Sequence, residues 1–116
     1  MDAESIREYC LQKKSATESF PFGIDTLVFK VKGKIFLLVA LNEDPLSFNA
    51  KCDPDLAIEL REKYEFIQPG YHMNKKLWNT VTIGTGVPNK LIREMIDNSY
   101  LLVVQTLPKK LQEDLL

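Results

Sequence analysis

The sequence predicts an α+β fold in two layers, a mainly antiparallel five-stranded sheet with helices packed on it. Three observations point there. Strand-like alternation comes in runs of consecutive segments rather than singly between helices, which argues for an antiparallel sheet. Helix signals of clear chemistry separate and flank those runs. The chain has 116 residues, 45% hydrophobic and 27% charged, which suits one domain (1–116) with one core and no staples.

The element order reads α-βββ-α-ββ-α(α). Residues 2–14 form the first helix, with Asp2 as cap and Ile6, Tyr9 and Cys10 at helical spacing. "SATESFPFG" breaks it. In the next strand Leu27, Phe29 and Val31 alternate with Val28, Lys30 and Lys32. A tight turn at Lys32-Gly33 leads to "KIFLLVAL", with Ile35, Leu37, Val39 and Leu41 on one side and Phe36, Leu38 and Ala40 on the other. A strand apolar on both sides is either central and covered twice, or covered once and used in an interface. "LSFNAK" is the third strand, alternating Leu46, Phe48 and Ala50 with Ser47, Asn49 and Lys51. "CDPDLAIELREKY" is a helix that Asp53 caps and Pro54 opens, since proline's missing N–H costs nothing in the first turn. "EFIQP" and "LWNTVTI" are two further strands. Pro88 opens the longest helix, 88–106, Pro108 ends it, and "KKLQEDLL" is a short helical tail.

Several function classes find no support. No apolar run approaches ~18 residues, so no membrane span is expected. "MDAESIREYC" is acidic and polar rather than a signal peptide, which makes the cytoplasm the expected location. Cys10 and Cys52 form no CxxC, and with a single His they offer no zinc pattern. They read as buried small hydrophobes. "GTGVPNK" has Asn89 where a dinucleotide fingerprint needs its third Gly and Leu91 where a P-loop needs Ser or Thr, so it reads as a turn and helix start. No Ser/His/Asp set is framed, and the paired carboxylates fall in turns or on solvated helix faces. No cofactor and no catalytic activity are expected. A net charge of −1 means that any nucleic-acid binding depends on a local patch.

One such patch is visible. "PGYHMNKKLWNT", residues 69–80, holds the chain's single His and single Trp, two adjacent Lys, a Tyr and two Asn, with no acid. Alternation puts Leu77, Asn79, Val81 and Ile83 on one face of the strand and Trp78, Thr80 and Thr82 on the other. A flat aromatic beside cations and amides can stack on a base or hold an anion. Packing under helices is the more usual place for a tryptophan, with the lysines then keeping an exposed edge soluble.

"FPFG" (20–23), "PGYHMNKKLWNTV" (69–81), "REMIDNSYLLVV" (93–104) and "LPKK" (107–110) resemble, in order and spacing, the MmcQ/YjbR family of small bacterial proteins. The resemblance covers nearly the whole chain. It implies an α+β fold of the CyaY-like or secretion-chaperone-like kind, and DNA binding through a proposed double-wing arrangement. The residues it carries over are Gly70, Tyr71, His72, Met73, Asn74, Lys75, Trp78 and Asn79, with Tyr100 of "DNSY" lining the same region. The acidic turn in "LNEDPLSFNAK" and the slight overall acidity depart from the family's usual look.

Three readings follow. In the first, DNA binds at Tyr71, His72, Asn74, Lys75, Lys76, Trp78 and Asn79. In the second, the chain is an interaction module for another protein or for itself, with Phe36 and Leu38 at the interface. The third and least favoured is a small-ligand pocket bounded by Tyr71, His72, Trp78 and Asn79.

Overall fold

The computed structural model describes residues 1–70, 73–84 and 86–115. Helix α1 spans Ala3–Leu11; the Asp2 carboxylate accepts the Ser5 N–H at 2.8 Å, and Ile6 and Cys10, one turn apart, are buried. Strands β1 (Ala16–Ser19), β2 (Thr26–Val31), β3 (Lys34–Ala40) and β4 (Ser47–Lys51) follow. Next come α2 (Pro54–Lys63), β5 (Ile67–Pro69), β6 (Trp78–Thr82), α3 (Asn89–Gln105) and α4 (Lys109–Glu113). Asp53 caps α2 by accepting from the Asp55 and Leu56 N–H groups, as the sequence predicts.

The strands form a single sheet in the order β1-β2-β3-β4-β6-β5, with every pair antiparallel. The expected α+β class holds, with a sixth strand added. That strand, β1, lies in the "SATES" stretch that reads as a connection. It is four residues long and alternates half-buried with exposed positions. Its strand character comes from pairing with β2, Ala16 opposite Val31 and Ser19 opposite Val28. Ser15, at φ 61°, turns the chain into it, and α1 stops at Leu11, earlier than periodicity alone suggests.

One sheet face carries Leu27, Phe29, Leu37, Val39, Phe48, Val81 and Ile67, packed against Ile6, Ile92, Ile96 and Val103 of the helices. The other face carries no helix among the described residues. A register shift at Phe29/Lys30 pairs Phe29 with Leu37 and Lys30 with Ile35, leaving Phe36 as the extra residue of a bulge. Phe36 is thereby turned into the core. Its ring meets the Tyr100 ring edge-on at 5.3 Å and the Phe29 ring at 6.3 Å. The expectation of Phe36 at an interface is therefore overturned: simple alternation fails at the bulge.

Ser99 of α3, fully buried, ties the helix to the sheet. Its hydroxyl donates to the Phe36 carbonyl and accepts the Lys51 N–H at 2.8 Å. One small side chain thus satisfies backbone groups of two neighbouring strands where the regular ladder is interrupted. It also fixes the end of β4 that carries Lys51.

Candidate functional site

The helix-free face has two differently coloured ends. β2, β3, β4 and β6 run alternately up and down, so the end of β2, the start of β3, the end of β4 and the start of β6 lie together. There Lys51 stands directly opposite Trp78 and Lys30 opposite Ile35, all half-buried. Lys75 and Lys76, exposed, precede Trp78 in the loop. None of these four lysines makes an ion pair among the described residues. Further along the face, Leu38 pairs with Asn49 and Asn49 with Thr80. The Thr80 hydroxyl donates to the Asn49 side-chain oxygen, Oδ1. Beyond them Phe22, Leu38, Glu43, Ser47 and Met73 help to line a groove of about 440 Å³.

The loop that presents the lysines is built from beneath. Arg61 of α2 donates from Nε to Asn79 Oδ1 at 2.7 Å, and from Nη2 to the Lys75 carbonyl and, at 3.2 Å, to the Trp78 carbonyl. Gly70 donates its N–H to the Trp78 carbonyl at 2.8 Å. A Cβ on Gly70 would sit 2.8 Å from Trp78 Cβ and 2.9 Å from its carbonyl oxygen, so the close approach itself requires glycine. Asn74 shapes the turn: its side-chain oxygen accepts the Lys76 N–H at 3.0 Å, and its carbonyl accepts from Leu77 and Trp78. Cys52 donates its N–H to the Leu77 carbonyl at 2.7 Å, extending the β4–β6 ladder past the Lys51–Trp78 pair. Burial, then the Asp53 charge, raises the Cys52 thiol pKa.

The candidate residues are thus divided. Trp78, Lys75 and Lys76 lie together at one end of the helix-free face. Asn79 does not join them. It is 2% exposed on the core face, held by Arg61, and its Nδ2 has no partner among the described residues. Alternation separates it from Trp78, so it supports the strand from behind rather than meeting a ligand beside the indole. This also removes the pocket that was to combine Trp78 with Asn79. Tyr100 is likewise displaced from the region: it lies on α3, packed on Phe36, with its hydroxyl donating to the Lys14 carbonyl at 2.6 Å. Tyr71 and His72 lie outside the described residues.

Lys51, Lys30 and Arg61 were not singled out from sequence. Lys51 is on the polar side of "LSFNAK", but its partnership with Trp78 depends on β4 and β6 being neighbours across an intervening helix. Among the described residues no three His, Cys, Asp or Glu side chains converge as a metal site, and no helix is long and apolar enough to cross a membrane.

Comparison with known proteins agrees with this architecture. The family model YjbR matches residues 11–102. The uncharacterised protein YbdF of Escherichia coli O157:H7 is 38% identical over 119 residues, covering 97% of this chain and 96% of the relative. The uncharacterised protein YjbR of Escherichia coli K12 is 29% identical over 110 residues, covering 95% and 93%. Among solved structures, Deinococcus radiodurans protein DR2400, of domain DUF419, superposes with a TM-score of 0.91 at 39% identity, covering 97% of this chain and 86% of that one. A Pseudomonas syringae protein gives 0.77 at 27% identity, covering 89% and 99%. Match length, identity and superposition agree with the motifs read from the sequence, and the chain belongs to the YjbR family.

Proposed function

We propose that the helix-free sheet face binds a nucleic-acid strand, without catalysis, in a cytoplasmic protein. The observation that carries this reading is the cross-strand pair of Lys51 and Trp78, with Lys30, Lys75 and Lys76 at the same end and no carboxylate engaging any of them among the described residues. A half-buried indole on a sheet face offers a stacking platform that any base can use, and the lysines offer phosphate contacts. The backbone bonds from Ser99, Arg61 and Gly70 hold both partners of the pair in place before a ligand arrives. Recognition through an open sheet favours an unpaired strand over a duplex, whose bases are stacked inside.

Charge reversal tests it. The triple variant Lys51→Glu, Lys75→Glu, Lys76→Glu should lose more than tenfold in affinity for a short single-stranded oligonucleotide at about 50 mM salt. The parent's affinity should fall steeply towards about 200 mM. Equal binding by parent and variant removes the reading.

A second reading, an interaction surface for protein, has its own observation. Phe22 and Ile24, in the β1–β2 connection, are 66% and 85% exposed. Sedimentation of the parent and a Phe22→Ser, Ile24→Ser variant over a wide concentration range tests self-association. A monomer throughout in both removes that form of it.

A further inference from the structure

The groove beside Asn49 is unlike the lysine end of the same face, and the difference is chemically specific. Its described lining contains no cation. Phe22, Leu38 and Met73 supply apolar surface, and Glu43, Ser47 and Asn49 supply polar groups. Ser47, nearly fully buried, donates its hydroxyl to Glu43 Oε2 at 2.9 Å, which orients the carboxylate and leaves Oε1 without a partner among the described residues. Because Thr80 donates to Asn49 Oδ1, the Asn49 side-chain NH₂ is left as a donor. The groove therefore pairs an oriented carboxylate acceptor with an amide donor between apolar walls. A phosphate is repelled by such a site, whereas a neutral planar ring with a donor and an acceptor on one edge is matched by it.

We infer that this groove takes one base of the bound strand, a base bearing an exocyclic amino group, while the strand's phosphates lie on Lys51 and Lys30. The inference rests on the nucleic-acid reading proposed above. Position supports it: Asn49 and Thr80 are each two residues along their strands from Lys51 and Trp78, a step of about 7 Å. That step is comparable to the reach from a phosphate to its own base. Volume supports it too, since a groove of about 440 Å³ lined in part by Phe22 and Met73 is ample for one ring. Glu43 accepts from the amino group and Asn49 donates to the adjacent ring nitrogen, the pattern cytosine presents. Thymine held in that same pose puts a carbonyl and an N–H there, meeting Glu43 with an acceptor and Asn49 with a donor; its N–H reaches Glu43 only if the ring shifts from the position that the phosphate contacts at Lys51 and Lys30 set.

The test compares single-stranded oligo-dC and oligo-dT of about eight nucleotides, a length within one sheet's usual site size, on the full chain. Both are pyrimidine strands of equal charge, so phosphate contacts cancel in the ratio. The parent should bind oligo-dC about tenfold tighter than oligo-dT. Glu43→Gln and Asn49→Ala should each bring the ratio close to one, chiefly by weakening oligo-dC binding. Glu43 is exposed, so its amide variant keeps the fold; matching thermal transitions verify this. A parent ratio of one, or a ratio that survives in both variants, overturns the groove assignment and leaves strand binding at the lysines intact. Absence of binding to either strand overturns both.

Discussion

Arg61 and Asn79, eighteen residues apart in the chain, are joined by an Nε–Oδ1 hydrogen bond of 2.7 Å directly behind the strand that presents Trp78. Through its second nitrogen Arg61 also holds the Lys75 and Trp78 carbonyls. Replacing Arg61 by Ala leaves the buried Asn79 side-chain oxygen and the Lys75 carbonyl without this donor, and leaves the Trp78 carbonyl with Gly70 alone, a loss of about 2 kcal/mol. Urea unfolding should show that shift, and Trp78 fluorescence should report a looser loop in the folded state. Arg61→Lys should recover little, because an ammonium cannot reproduce the fork. Full stability in Arg61→Ala contradicts this role.

Gly70→Ala tests the close approach from the other side. Since the new methyl meets the Cβ and the backbone carbonyl of Trp78 rather than the tip of a flexible side chain, the hairpin must open. A loss of at least about 1 kcal/mol is expected, with a shifted Trp78 emission. An unperturbed emission spectrum argues against the packing described.

The pH dependence has a definite sign on the acid side. Arg7 donates to both Glu18 oxygens at 2.7 Å, linking α1 to β1. That hydrogen bonding, opposed by slight desolvation and aided by the Arg7 charge, lowers the Glu18 pKa below its ordinary 4.5. A depressed carboxylate pKa contributes stability that is present above 4.5 and is lost as pH falls through the folded value. Glu18→Gln should therefore flatten the acid limb of the stability profile between about pH 5 and pH 3. Parallel profiles for parent and variant would count against the tie.

The thiols should be silent. Cys10 is fully buried, and desolvation pushes its pKa up to about 12. Cys52 is 6% exposed and also raised. At pH 8 neither should react with a thiol reagent within minutes in the native protein, and both should react once denatured. One fast equivalent in the native state contradicts the burial.

How much of this was legible depends on the range of the interaction. The α2 start could be read because Asp53 and Pro54 act within one turn. The opposition of Asn79 and Trp78 followed from alternation, although their placement in one candidate site ignored it. β1 escaped because a four-residue stretch with three polar side chains acquires strand structure only by lying beside β2. Phe36 was misplaced because a bulge is set by the register of two strands and leaves no mark in one. Lys51 needed the knowledge that β4 pairs with β6, a long-range relation that local patterns do not encode. The lysine pair and Trp78 were readable because they are adjacent in sequence.

The central claim is that a strand lies against Trp78, and the chain's single tryptophan reports on it directly. Trp78 fluorescence should be followed while a short single-stranded oligonucleotide is added at low and at moderate salt, with a duplex as comparison. The account predicts saturable quenching that weakens as salt rises, stronger for the single strand than for the duplex. No change at low salt, where electrostatic attraction is greatest, would contradict it.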